Sequence, residues 1–144
     1  GFLWYNPKVL GTKWMQSAGL SEEELQKGNM VKIFGLSLLF SIFIAFSLNF
    51  MVIHQFGAMG MIGGDDTLDT IKPSYFAFME DYGMAFRTFK HGMLHGSLVA
   101  IFFAFPILAI NALFEQKCWT YILINAGYWL VCLTIMGGII CAWK

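Results

Sequence analysis

The chain has 144 residues, of which 58% are hydrophobic and only 12% charged, and its formal net charge is zero. An ordinary soluble domain is about a quarter charged, so this composition argues against a soluble globular protein. The length suits one domain, the mean hydropathy is +0.63, and the charge balance gives no electrostatic basis for a nucleic-acid partner.

At the start, Gly1-Phe2-Leu3 leads into Trp4-Tyr5 and then Asn6-Pro7. Trp and Tyr gather at membrane interfaces. Residues 1–5 therefore read as the end of a membrane helix, most of which would precede Gly1. A cleaved signal peptide would favour small residues at this point instead. Trp14 and Met15 read as interfacial. The stretch SEEEL at Ser21–Leu25 has the spacing of a capping box, Ser21 to Glu24. The short helix it starts should stop at Gly28, and Asn29 should cap the next one.

Three runs carry no charged side chain: Ile33–Ile53 with 21 residues, Gly92–Phe114 with 23 and Cys118–Trp143 with 26. About 20 apolar residues in a helix cross the hydrocarbon core, and buried soluble helices rarely stay uncharged so long. The expected fold is an all-α integral membrane protein, a small transmembrane bundle with a surface amphipathic helix. Three helices lie in the chain, and a fourth would precede Gly1. Residues 1–144 read as one membrane domain. Residues 1–5 end the earlier helix, 30–55, 91–114 and 118–143 are transmembrane, and 56–90 connect them outside the membrane.

In the helix over 30–55, Ser37, Ser41, Ala45 and Asn49 recur every four residues and share a stripe. Small and weakly polar residues in a stripe let a neighbouring helix approach and bond across the gap. The same stripe would also suit a polar pore lining. The following GAMGMIGGDDTLD, Gly57–Asp69, is glycine-rich and should be irregular. Asp65, Asp66 and Asp69 lack the ligand alternation and closing Glu of an EF-hand, so they read as a solvated loop. From Tyr75, the residues Tyr75, Phe78, Met79, Tyr82, Phe86 and Phe89 fall on one helical face. An amphipathic helix on the membrane surface should lead directly into the next span.

In that span Gly92, Gly96, Ala100 and Ala104 form a second small-residue stripe, and Pro106 should bend the helix or shift its ladder. The short turn to the last helix makes these two helices antiparallel neighbours. Asn125 is the clearest polar residue inside the last helix and should bond a neighbour. Cys132 and Cys141 lie about 13 Å apart along that helix, too far for a disulfide. Cys118, Cys132 and Cys141 read as small packing residues. Lys8, Lys13, Lys27, Lys32 and Lys117 fall on one membrane side, and Lys72, Arg87, Lys90 and Lys144 on the other. Five against four leans the first side towards the cytoplasm and the long connection outward.

The chemistry concentrates in HGMLHG, His91–Gly96. His91 and His95 are four apart and point the same way from one helix. His54 ends the previous helix on the same membrane side. Met51, Met59, Met61, Met79, Met84 and Met93 crowd this part of the sequence. Imidazole with thioether would suit copper, two facing histidines would suit haem, and histidines at this depth could relay protons. Packing alone also accounts for the residue types. Ser37, Ser41 and Ser47 lie deep in the first span, away from the histidines, and no Gly-x-Ser-x-Gly occurs.

The stretches GFLWYNPKVLGTKWM, GLSEEEL, FKHGMLHG and NAGYWLVCLTIMGGIICAW together resemble a family of small bacterial membrane proteins, domain of unknown function 1761. In overall look the chain is similar to members from the Bacteroidetes branch. The resemblance implies about four membrane helices, with one before Gly1, and no established activity. The expectation is a multi-pass protein of the bacterial inner membrane, non-enzymatic and without a cofactor. It would act as an accessory or structural subunit packing with lipid, with copies of itself or with other membrane subunits. The alternative is a small transporter, or a copper- or haem-handling protein, using His54, His91 and His95.

Overall fold

The computed structural model describes residues 1–67, 69–115 and 117–143, and every regular element among them is helical. Lys144, counted above for orientation, lies outside the described residues, as do Leu68 and Gln116.

Residues 1–5 form turns, with the Tyr5 N–H donating to the Gly1 carbonyl at 2.9 Å. A π-helical turn, Pro7–Gly11, follows and is closed by the Gly11 N–H on the Asn6 carbonyl at 2.9 Å. Then α1 runs over Thr12–Ala18 and ends at Gly19, whose φ of 73° is left-handed. The capping box forms at the start of α2, Glu22–Gln26. There Ser21 Oγ accepts the Glu24 N–H at 3.2 Å, and Glu24 Oε2 accepts the Ser21 N–H at 2.8 Å. Asn29 Oδ1 accepts the Lys32 N–H at 3.0 Å and starts α3, Met30–Val52.

Helix α3 stops at Val52, short of Gln55, because Ile53 is extended at φ −108°, ψ 102°. The chain restarts as α4, Gln55–Met61. The first part of the glycine-rich stretch is therefore helical rather than irregular. Gly57 and Gly60 each cost the helix about 1 kcal/mol, but Ala58, Met59 and Met61 are good formers and Phe56 packs on the core. Irregular chain begins beyond, where Gly63 and Gly64 have φ of 88° and 84°.

Helix α5, Pro73–Tyr82, opens with proline in its first turn, where no N–H is missed. It does not lead directly into the next span. It ends at Gly83, a poor helix former, and Phe86 takes a left-handed φ of 60°. The Thr88 hydroxyl then accepts the His91 N–H at 3.3 Å and caps a fresh helix, α6, Phe89–Val99. On the expected apolar face Phe78, Tyr82, Phe86 and Phe89 are exposed, while Tyr75 and Met79 are half-buried. A π-helical turn, Ala100–Ala104, joins α6 to α7, Phe105–Phe114. Pro106 lacks an N–H and crowds the turn before it, so the ladder widens there as expected. Helix α8, Trp119–Ala142, runs back antiparallel.

Three helices are long and apolar enough to cross a membrane: Met30–Val52, Phe89–Leu113 and Trp119–Ala142, of 23, 25 and 24 residues. The closest-packed pair is α6 with α8. A Cβ on Gly92 would overlap the Gly137 carbonyl, and one on Gly96 the Leu133 carbonyl, so the two backbones touch. Helix α3 joins this pair through its last turns. Leu48, Val52 and Ile53 are buried with Ala100, Leu133 and Cys141. Higher up, every residue from 31 to 40 is exposed, and an apolar cavity of about 420 Å³ opens between Phe43, Leu48, Phe103, Ile107 and Trp129. At the opposite end from the histidines, Lys117 Nζ donates to the Ala18 carbonyl at 2.8 Å and ties the α7–α8 turn to α1.

Candidate metal centre

The break after α3 positions His54. Because Ile53 is extended, His54 leaves the α3 axis and stands just before α4. The Thr88 cap sets where α6 begins, so His91 and His95 occupy its first two turns on one face. The three residues meet. His54 Nε2 lies 2.8 Å from His91 Nε2, and the ring centroids are 5.0, 4.8 and 4.6 Å apart for the pairs His54–His91, His54–His95 and His91–His95. One nitrogen from each ring falls within 4.8 Å of the other two. His54 is exposed, and His91 and His95 are half-buried.

Phe86 covers this cluster. Its ring stacks on His91 at 5.0 Å and 29°, and meets His54 edge-on at 6.1 Å. A left-handed φ on a bulky residue costs about 1–3 kcal/mol and persists only where the surroundings enforce it. Here the Phe86 carbonyl accepts the Thr88 N–H at 2.7 Å and the Cys141 thiol at 3.4 Å. Beside His54, Gln55 Nε2 donates to the Tyr82 and Ala85 carbonyls at 3.0 and 2.9 Å, which ties the α3–α4 break to the loop carrying Phe86. Arg87 Nε donates to the Cys141 carbonyl at 2.8 Å, and its Nη2 to the Trp143 carbonyl, so the guanidinium closes the C-terminal end of α8.

Of the methionines expected beside the histidines, Met51 lines the interhelical cavity, Met79 lies on Gly83, and Met93 packs on Gly138. The polar stripe of α3 bonds within its own helix. Ser41 Oγ donates to the Ser37 carbonyl at 2.8 Å, and Asn49 Nδ2 to the Ala45 carbonyl at 2.9 Å. Hydroxyl and amide groups find their own helix carbonyls before a neighbour's, and Ser37 is exposed. Gly92, Gly96 and Ala100 are buried in the α6–α8 seam, with Ala104 packed at its edge. Asn125 Oδ1 accepts the Tyr5 hydroxyl at 2.7 Å, while its Nδ2 donates to the Tyr121 carbonyl of its own helix. Cys118 is exposed at the start of α8 and does not pack, Cys132 is half-buried, and Cys141 is buried.

Sequence reasoning missed Phe86, Arg87 and Cys141. The Phe86 signal was available: Gly83 upstream and Thr88 as a cap mark a break. Cys141 carried none, because its partners Val52 and Phe86 lie 89 and 55 residues away.

Residues 1–141 match the family described as Protein of unknown function (DUF1761). The chain belongs to that family. The match covers all three histidines, Phe86 and Cys141. No curated protein and no solved structure matches the chain.

Proposed function

We propose that this membrane protein binds a transition-metal ion through His54, His91 and His95. The supporting observation is the convergence of three imidazoles from segments 37 residues apart, two of their nitrogens 2.8 Å from each other. Imidazole suits zinc, copper, iron and nickel. With metal–nitrogen bonds of about 2.0–2.1 Å, a tetrahedral ion holds its ligand nitrogens about 3.3–3.4 Å apart. The closest pair would open by about half an ångström and the widest would close, a small adjustment for side chains at a helix break. Each imidazole must offer a ring nitrogen free of its proton to hold the ion, so affinity should weaken on acidification. Three neutral ligands leave a fourth position open.

Three imidazole nitrogens favour Zn²⁺ or Cu²⁺ over thioether-bound Cu(I). A haem needs a flat slot between its axial ligands, whereas three nitrogens facing one another suit a single ion. Among the described residues no Asp, Glu or Cys joins the histidine group. We place the protein as a multi-pass component of a bacterial inner membrane, with the site on the outer side by the lysine distribution.

Titration of the detergent-purified chain with Zn²⁺ and Cu²⁺ tests this reading. One equivalent should bind, and His54→Ala, His91→Ala and His95→Ala should each weaken binding by about tenfold or more. Equal binding by all three variants, or none by the wild type, refutes it. A second reading, an accessory subunit in an oligomer or larger complex, draws support from the exposure of α3 over residues 31–40. Native mass spectrometry that finds only monomer would count against it.

A further inference from the structure

We propose that Cys141 is a positioning residue of the histidine centre, a buried thiol latch that fixes how the three imidazoles face one another. This inference rests on the metal-binding reading above. Cys141 is only 1% exposed. Its Sγ lies 3.4 Å from the Val52 carbonyl and 3.4 Å from the Phe86 carbonyl, so one thiol hydrogen serves two acceptors. Val52 is the last residue of α3, two before His54. Phe86 carries the ring stacked on His91. On its other side Cys141 fills the space over Gly92, the neighbour of His91, where an added Cβ would stand 2.5 Å from the Cys141 Cβ. One side chain thus touches the segments that carry His54, Phe86 and His91.

The latch is itself anchored. Arg87, next to Phe86, donates to the Cys141 carbonyl, so the loop and the end of α8 are joined through both side chain and backbone. A thiol is a weak donor, and its strength is not the point. Together with the two Gln55 bonds, the thiol hydrogen between two carbonyls sets the spacing between the end of α3 and the loop before α6, and that spacing decides where His54 stands relative to His91. Because the S–H faces carbonyls, Cys141 acts on the ion through the histidines and not as a ligand. Groups that orient metal ligands typically contribute 10–100-fold to affinity.

The test uses the full chain in detergent and Co²⁺, whose visible absorption reports coordination geometry. Cys141→Ala should retain its helical circular dichroism, bind Co²⁺ about tenfold more weakly or worse, and shift the absorption bands. Cys141→Ser, whose hydroxyl can donate to the same carbonyls, should recover much of the wild-type affinity and spectrum. A measurement on the native thiol needs no change at position 141. In a Cys118→Ser, Cys132→Ser background the remaining infrared S–H stretching band should move when Co²⁺ is added. Wild-type affinity and spectrum in Cys141→Ala overturn the latch and leave the metal-binding reading standing. A wild type that binds no Co²⁺ overturns both. If the Ala and Ser variants fail to fold, the S–H band decides: a shift supports the latch and an unmoved band overturns it.

Discussion

Helices α6 and α8 meet backbone to backbone, whereas α3 touches them only through its last turns. The first contact is made by glycines with no room for a methyl group, and the second by a patch of Leu48, Val52 and Ile53. The contrast explains how the histidine cluster is assembled. His91 and His95 ride on the tightly paired element, and His54 stands at the end of the loosely held one. A cluster built this way has two imidazoles in fixed register and a third, that of His54, whose placement can adjust.

The strongest way to break this comparison is to place the same side chain on each helix. Gly96→Leu drives a side chain into the Leu133 carbonyl and should lower stability by about 3 kcal/mol or more, as overpacking does at its upper end. Gly35→Leu on α3 meets nothing within 4 Å and should leave the melting temperature in detergent unchanged or, by removing a helical glycine, slightly raised. Equal shifts in the two variants would remove the distinction between seam and free helix.

The α3 contact itself is the next target. Leu48 is 2% exposed and Leu38 66%. Leu48→Ala should cost about 2 kcal/mol, mostly through the cavity it leaves, because lipid is as apolar as the protein interior. Leu38→Ala should cost nothing measurable in the same thermal melts. A smaller effect is expected at the other end of the bundle, where Tyr5→Phe removes the hydroxyl bonded to Asn125. Hydrogen bonds in membrane proteins average about 0.6 kcal/mol, so a loss near that size in denaturant titration is expected.

The smallest effect lies outside the membrane. The Ser21 backbone N–H, followed by the Ser21 hydroxyl contact, holds the Glu24 carboxyl below its ordinary value. A carboxylate with a lowered folded value stabilises the native state fully above the ordinary value, and that contribution is lost as pH falls through the lowered one. Amide protection factors across α2, taken against the intrinsic exchange rate at each pH, should therefore fall on acidification through that window, while those of α6 and α8 hold. Protection in α2 that does not change would show that the box contributes nothing in solution.

Legibility in the sequence followed the range of the interactions. The capping box, the Asn29 cap and the ladder shift at Pro106 were readable because each depends on residues within one or two turns. The break between α5 and α6 was missed because an apolar face that continues on paper from Tyr75 to Phe89 hides Gly83 and the Thr88 cap. The polar stripe of α3 was readable as a pattern but not as a contact, since its hydroxyl and amide groups bond to their own helix. His91 and His95 were legible as a pair from their spacing, and His54 only as a residue on the same membrane side.

By itself the sequence determined that the chain is helical, where its three long apolar helices run, and that two histidines share a face. Those properties follow from local hydrogen bonding and from the apolar length a bilayer requires. Tertiary structure alone decided that His54 meets that pair, that Phe86 covers it and that Cys141 stands behind it. These contacts join segments 37 to 89 residues apart. They depend on the glycine seam that brings α6 onto α8, and no periodicity along the chain records which distant backbones such a seam brings together.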